Sequence, residues 1–216
     1  MEYRPRYSEE PPDPDRFSAT QNALYSRWAL SYDLLVKMLP IWRRWLRAAI
    51  PHIQGPRVLE VAFGTGYLLS QYAGNFETFG VDRNLRLAEI ARKNLEKAGV
   101  SAKLQLAEVE QLPYPSGCFD SVVCTMALSA FPRGTKAVEE MKRVLRNGGK
   151  LIIIDVNYPT HKTWLGRRMT EVWMLAGDII RDIETIFKTL DLPFSDEEIG
   201  GFGTIHLYTC CKSNGA

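Results

Sequence analysis

Apolar residues recur along the middle of the chain in five short runs, with two helical patterns among them. The runs fall near residues 57–61, 77–81, 102–106, 119–125 and 150–156. After Asn84 and after Gly134, apolar residues instead repeat every three to four positions, the spacing of a helix with one face against a sheet. Alternation of this kind is typical of a mostly parallel twisted sheet with helices on both faces. We therefore predict an α/β fold whose core spans residues 57–157.

The segments on either side of this core follow other patterns. Residues 1–16 combine four prolines with charged side chains, which predicts a disordered tail. Residues 17–50 keep helical spacing with a break at Pro40, because proline lacks the N–H that a helix interior needs. Residues 158–203 are expected to form a helical cover, and residues 204–211 the last strand. Everything after residue 16 is thus predicted to be one domain.

A turn that carries glycines follows the first predicted strand. It reads Glu-Val-Ala-Phe-Gly-Thr-Gly from Glu60 to Gly66, a helical pattern follows it, and the next strand ends in Asp82. Glycine allows backbone to approach a ligand closely, and the start of a helix presents unpaired N–H groups. A carboxylate at the tip of the next strand can accept the hydroxyls of a ribose. The segment therefore predicts a nucleoside site.

This turn resembles the first motif of class I S-adenosylmethionine-dependent methyltransferases, acid-x-(Gly/Ala)-x-Gly-x-Gly. A dinucleotide site would need a small residue three positions after Gly66, where this chain has Leu69. Later family motifs resemble residues 108–114, 119–124 and 144–151, in the family's order. Within the type 11 group, Ala62 and the pair Tyr32-Asp33 look most like ubiquinone/menaquinone C-methyltransferases and phospholipid N-methyltransferases.

The resemblance implies a Rossmann-like fold with an antiparallel last strand and S-adenosylmethionine as cofactor. In the family's pattern Glu60 faces the ammonium of the cofactor, Asp82 the ribose, and Glu108 the adenine amino group. Tyr25 resembles an aromatic residue that closes over the cofactor. The same resemblance places further residues in the cofactor site, namely Ala62, Phe63, Gly64, Gly66, Arg83, Val109 and Thr125.

Catalytic candidates are fewer, because methyl transfer is an in-line displacement that depends mainly on alignment. A general base is needed only where the acceptor must lose a proton. Asp155 and His161 follow the fifth predicted strand, where ligands of such sheets bind, and Tyr32 resembles a second covering aromatic residue. A structural role for Asp155, and ordinary helix packing for both tyrosines, explain the sequence equally well. No pattern indicates a metal site.

One segment departs from the family's pattern. After the fifth strand the family usually has a helix and two antiparallel strands, whereas here helical spacing continues over residues 163–190. Only residues 191–203 are left before the last strand. We therefore expect a sixth strand that is very short or absent, and an enlarged helical cover over the acceptor site.

Net charge, cysteines and apolar runs indicate which partners and which compartment to expect for this chain. The formal net charge is +2, so no overall charge attracts the chain to nucleic acid. Cys118, Cys124 and the adjacent Cys210 and Cys211 lack metal-ligand spacing and are typical of reduced intracellular thiols. No apolar run approaches the ~20 residues that span a bilayer, and no hydrophobic signal core begins the sequence. We expect a cytoplasmic enzyme without a nucleic-acid partner.

Residues 38–50 hold the clue to the acceptor. On a helix, Arg43, Arg44 and Arg47 share one face, while Trp42 and Trp45 share another. This suits a membrane interface, although a helix packed on the core with a solvated cationic side explains it at least as well. The sequence favours a lipid-like or hydrophobic acceptor, a phospholipid amine or quinone-type ring, with peripheral membrane contact through 38–50. The alternatives are methylation of a soluble metabolite and cofactor binding without transfer.

Overall fold

The computed structural model describes residues 7–8, 10–161 and 163–213, except the side chains of Tyr32 and Leu35. Its strands are β1 (Arg57–Val61), β2 (Glu77–Asp82), β3 (Lys103–Leu106), β4 (Phe119–Thr125), β5 (Leu145–Val156), β6 (Phe194–Gly200) and β7 (Ile205–Cys211). Its α-helices are α1 (Pro14–Met38), α2 (Pro40–Arg47), α3 (Leu69–Tyr72), α4 (Leu85–Ala98), α5 (Gly134–Val144), α6 (Trp164–Leu175) and α7 (Ile183–Thr189).

The strands form one sheet in the order β3-β2-β1-β4-β5-β7-β6. Strands β1 to β5 pair in parallel, and β7 runs antiparallel to both β5 and β6. The predicted mostly parallel sheet with an antiparallel last strand is confirmed. The strand order reverses between β1 and β4, so a crevice opens beyond the carboxyl ends of these strands, where ligands bind in open α/β sheets.

Both faces of the sheet are covered, because alternate residues of each strand point to opposite sides. Leu59 and Val122 pack with α5 and α7 on one face. Val58 and Val123 pack with α2, α3 and α4 on the other. Strands buried on both faces read as continuous apolar runs, which is why β1 and β4 begin and end at the predicted residues.

The N-terminal region follows the prediction at Pro40 and departs from it near residue 14. Leu39 is extended (φ −89°, ψ 105°) between α1 and α2, since proline disfavours a helical conformation in the residue before it. The first helix begins at Pro14, inside the range predicted to be disordered, and Asp13 accepts a hydrogen bond from the Arg16 amide at 2.9 Å. Residues 1–6 and 9 lie outside the described part of the chain.

The region after β5 differs from the predicted single helical stretch. The helix α6 ends at Leu175 and α7 starts at Ile183, with Gly177 between them at φ 102°. The expectation of a very short or absent sixth strand is wrong, because β6 pairs with β7 along its length. As the edge strand β6 is largely exposed and rich in acids, so it lacks the apolar pattern of an inner strand.

No helix in the described ranges is both long and apolar enough to cross a membrane.

Candidate functional site

A cavity of about 1040 Å³, including its part open to solvent, lies at the carboxyl ends of β1, β2 and β4. It lies where the strand order reverses, which is the usual position of a ligand in an open α/β sheet. The ends of β1 and β2 contribute Glu60 and Asp82 to the lining, the turn after β1 contributes Gly64, and α1 contributes Gln21, Asn22 and Tyr25. The cavity is therefore at the predicted place, with α1 as a roof.

The turn after β1 shapes the floor of this cavity through left-handed backbone conformations. Ala62, Gly64 and Gly66 have φ values of 51°, 56° and 72°. A Cβ on Gly66 would lie 2.9 Å from the Ala91 Cβ, so glycine there allows α4 to pack against the turn. Ala62 is strained by about 1 kcal/mol, and Met126 after β4 has a similar φ of 52°. Strained residues therefore border the cavity directly after β1 and after β4, and such residues are common at functional sites.

Asp82 joins the turn after β1 to the start of α4. Its side chain is 7% exposed, and its two carboxylate oxygens accept the amides of Gly64 and Asn84, each at 2.8 Å. Burial raises the pKa of Asp82 to about 6, although the two amide hydrogen bonds oppose the rise. A carboxylate accepts up to four hydrogen bonds, so Asp82 keeps acceptor capacity for ligand hydroxyls in the cavity.

Glu60 lies deeper, near the end of β1. It is 2% exposed, lines the cavity, and accepts a hydrogen bond from the Tyr72 hydroxyl at 2.9 Å. Burial raises the pKa of Glu60 to about 8; the Tyr72 hydrogen bond lowers it and the nearby Asp82 raises it. Two carboxyl groups therefore converge on one cavity, an arrangement that favours a ligand carrying positive charge.

Other predicted cofactor residues gather around the same cavity with differing exposure. Glu108 is largely exposed, and its carboxylate lies 3.8 Å from the Arg83 guanidinium. Arg83 also donates hydrogen bonds to the hydroxyl and the backbone carbonyl of Ser18 in α1, so its charge serves mainly to hold the roof. The remaining predicted residues that line the cavity are Ala62, Phe63, Val109, Thr125 and Tyr25. Gly66 of the turn packs against α4 and does not line the cavity.

Polar contacts that the sequence analysis missed attach α1 to the core. The Asn84 side-chain amide donates to the Asn22 side chain at 2.7 Å and to the Ser26 hydroxyl at 2.8 Å. The side-chain oxygen of Asn84, Oδ1, also accepts a hydrogen bond from the Leu87 amide and so caps α4. An asparagine directly before a helical pattern predicts a cap of this kind. No pattern near Asn84 in the sequence predicts its contacts with Asn22 and Ser26 of α1. Tyr25 of α1 also lines the cavity. Burial, and next the negative charge of Asp178, raises the pKa of the Tyr25 hydroxyl to about 12.

Two of the three predicted catalytic residues, Asp155 and His161, do not line the cavity. Asp155 is fully buried outside the cavity lining, and its carboxylate accepts the amides of Ala127, Ser129 and Val156. These contacts favour a structural role in holding the turn after β4. His161 is exposed in the turn before α6 and does not line the cavity. The Tyr32 side chain lies outside the described residues. The catalytic roles of Asp155, His161 and Tyr32 stay predictions.

The chain is similar in sequence to known methyltransferases. A family profile described as a methyltransferase domain matches residues 59–153. Phosphatidylethanolamine N-methyltransferase of Cereibacter sphaeroides is 33% identical over 61% of this chain and 65% of that protein. Ubiquinone/menaquinone biosynthesis C-methyltransferase of Geobacter sp. (strain M21) is 32% identical over 64% of this chain and 63% of that protein. The chain thus spans a little under two thirds of these relatives.

Solved structures share the fold at lower identity. A Thermotoga maritima S-adenosylmethionine-dependent methyltransferase, described as a possible histamine N-methyltransferase, matches with a TM-score of 0.69 and 17% identity, over 88% of this chain and 99% of that one. The N-methyltransferase NodS of Bradyrhizobium japonicum WM9, solved with S-adenosyl-L-homocysteine, matches with a TM-score of 0.64 and 15% identity, over 83% of this chain and 91% of that one.

Proposed function

We propose that this chain, whose residues 59–153 match a methyltransferase domain, is an S-adenosylmethionine-dependent enzyme that methylates a lipid-like or hydrophobic small-molecule acceptor. The observation that carries the proposal is the mixed lining of the cavity. Glu60 and Asp82 contribute carboxyl groups to it, while Val36 of α1 and Leu46 of α2 contribute apolar side chains. The carboxyl groups suit the charged cofactor, and the apolar side chains suit a hydrophobic acceptor.

The residues of the chain act by binding and alignment. Bound S-adenosylmethionine supplies a methyl group already activated on a sulfonium. In the proposed site, Asp82 holds the ribose hydroxyls and Glu60 the amino-acid end. The roof formed by Tyr25 and its neighbours in α1 excludes water and keeps the acceptor in line with the methyl group. Alignment of this kind supplies much of the rate acceleration of a displacement reaction.

The acceptor class is supported by the relatives as well as by the cavity. The similar proteins of C. sphaeroides and Geobacter are named for a phospholipid amine and for quinone rings, respectively. Both acceptors present a reactive nitrogen or carbon atom on a hydrophobic molecule. We propose the same acceptor class for this chain.

The acceptor is tested with radiolabelled S-adenosylmethionine and three sets of acceptors. These are phosphatidylethanolamine in vesicles, a demethylated quinone, and a panel of soluble amines and phenols. We expect label in a lipid-phase product, and no label with the Asp82→Ala variant as the control. Label only in soluble products would contradict the acceptor class. Tight binding of S-adenosyl-L-homocysteine without transfer to any acceptor would contradict the enzymatic proposal itself.

We further propose that the N-terminal helices contact an anionic membrane surface. Apolar side chains exposed to solvent on α1 and near the start of α2 are Leu24, Trp28, Leu30, Leu34, Met38 and Ile41. No described residue forms an ion pair with Arg43, Arg44 or Arg47, so these cations are available to anionic lipid.

The tryptophans of α2 do not contribute to this surface. Trp45 is 9% exposed, and the Trp42 ring lies 5.9 Å from the Trp45 ring and 6.1 Å from the Trp173 ring of α6. They pack α2 against the rest of the protein, as the alternative interpretation of the sequence had it. The membrane surface we propose therefore consists of the arginines and the exposed apolar residues of α1.

Vesicle flotation tests this surface. We expect the protein to float with anionic vesicles at low salt and to lose binding at high salt. Reversing Arg43, Arg44 and Arg47 to glutamate should weaken binding by more than about 100-fold, since each arginine is worth about 1 kcal/mol near an anionic surface and the glutamates add repulsion. Reversal of the exposed Arg92, Lys93 and Lys97 on α4 is the charge-matched control. Wild-type protein that stays with the soluble fraction at low salt would rule out membrane contact.

A further inference from the structure

We infer that Tyr72 is a positioning residue that orients Glu60 toward the amino-acid end of the cofactor and makes cofactor binding release a proton from Glu60. This inference rests on the proposed function, because it assigns the cofactor's ammonium to the Glu60 end of the cavity. It adds a residue that no sequence motif indicates, and a measurable coupling between ligand and proton.

The geometry sets Tyr72 apart from an ordinary core residue. It ends α3 and is 1% exposed, with its ring packed edge-on against Phe76 at 6.1 Å between centroids. Its hydroxyl donates to one carboxyl oxygen of Glu60. No other described residue donates a hydrogen bond to Glu60, so the second oxygen is left for a ligand in the cavity. The single hydrogen bond therefore fixes which side of the carboxyl group faces the ligand.

No cationic group of the protein balances the charge of Glu60 among the described titratable groups that face it. The titratable groups that face it are Tyr72 from α3, Asp82 from β2 and Cys124 from β4, and none of them is cationic. Burial without a cation raises the pKa of Glu60 to about 8, against the lowering effect of Tyr72. At neutral pH the Glu60 carboxyl group therefore holds a proton before a ligand binds, and a buried ammonium would displace that proton.

The proton balance of this step is simple. Before binding, Glu60 is a carboxylic acid; after binding, it is a carboxylate paired with the ligand ammonium, and one proton has gone to solvent. Tyr72 keeps its own proton throughout, because burial and the neighbouring Glu60 hold its pKa well above the usual value. Tyr72 thus acts as a hydrogen-bond donor that stabilises the carboxylate, and takes no part in methyl transfer.

Calorimetry of wild-type protein in buffers of different ionisation enthalpy counts the released protons. S-adenosyl-L-homocysteine carries the ammonium, and 5′-methylthioadenosine lacks the entire amino-acid end. From a pKa of about 8, we expect the first ligand to release about 0.9 proton at pH 7 and about 0.2 at pH 8.5. The second should release almost none. Equal proton release by both ligands would overturn the inference without any variant.

Two variants locate the effect. Tyr72→Phe keeps the ring but removes the donor, so affinity for S-adenosyl-L-homocysteine at pH 7 should fall about tenfold, one pKa unit of coupling. Proton release should then persist to higher pH, and affinity for 5′-methylthioadenosine should not change. Glu60→Gln should abolish the release. Tyr114→Phe is the matched control, because it removes a hydroxyl from a ring that packs against Phe79 and Phe119 in the core cluster on the opposite face of the sheet from Tyr72.

The outcomes separate this inference from the proposed function. A folded Tyr72→Phe variant with the wild-type pH profile, or Glu60→Gln with undiminished proton release, would refute the role of the pair while the cofactor site stands. Failure of wild-type protein to bind S-adenosyl-L-homocysteine at any pH would refute both.

Discussion

Asp82→Ala is expected to lower affinity for S-adenosyl-L-homocysteine by at least about 100-fold. Each hydrogen bond to a charged group is worth about 1.5–3 kcal/mol, and the variant loses those to the ribose. It also leaves the amides of Gly64 and Asn84 without their acceptor, so the turn after β1 and the start of α4 lose their shared anchor. Calorimetry at pH 7.5, above the folded-state pKa of Asp82 of about 6, measures the effect with the carboxylate charged.

Two further variants show which contact matters. Asp82→Asn keeps the shape and one acceptor oxygen, so its affinity should lie between those of Asp82→Ala and the wild type. Glu89→Ala removes one negative charge from the exposed face of α4 and should bind like the wild type. If Asp82→Ala folds and also binds like the wild type, the ribose is not held by this carboxylate.

Arg181→Ala is expected to destabilise the protein by about 3–5 kcal/mol, because it leaves three carbonyls without their donor and each unsatisfied buried polar group costs about 1–3 kcal/mol. Arg181 lies between α6 and α7 and is 7% exposed. Its guanidinium donates to the carbonyls of Leu128 (2.6 Å), Phe131 and Pro132, which belong to the loop between β4 and α5. Because Ala130, Phe131 and Pro132 line the cavity, cofactor affinity should fall as well.

Thermal unfolding tests this expectation. For a chain of 216 residues, 3–5 kcal/mol corresponds to a loss of about 6–20 °C in Tm. Arg181→Lys keeps a positive charge but cannot reach three carbonyls at once, so it should recover only part of the loss. Arg168→Ala, which removes an exposed ion pair with Glu171 on α6, should change stability by less than about 1 kcal/mol. An Arg181→Ala variant as stable as Arg168→Ala would contradict the anchoring role.

These two residues illustrate different routes from sequence to structure. Asp82 stands at the end of an apolar run, after a glycine turn, so a local pattern identified its place at the cavity. Nothing local distinguishes Arg181 from a surface arginine, because its three acceptors are carbonyls about fifty positions away. The same holds for Tyr72, which reads as an apolar helix residue until α3 packs over β1.

The sequence by itself determined the α/β class, the ends of β1 and β4, the break at Pro40 and the similarity to methyltransferases. Those features are local, since buried parallel strands are continuous apolar runs and a glycine turn has its own signature. The tertiary structure alone decided that β6 exists, that the cover divides into α6 and α7, and that Trp45 is buried. It also decided that Asp155 is satisfied by backbone amides outside the cavity. Each of these features depends on a contact with residues distant in the chain. Hydrophobic periodicity indicates which residues are buried, but it does not indicate which residues they contact.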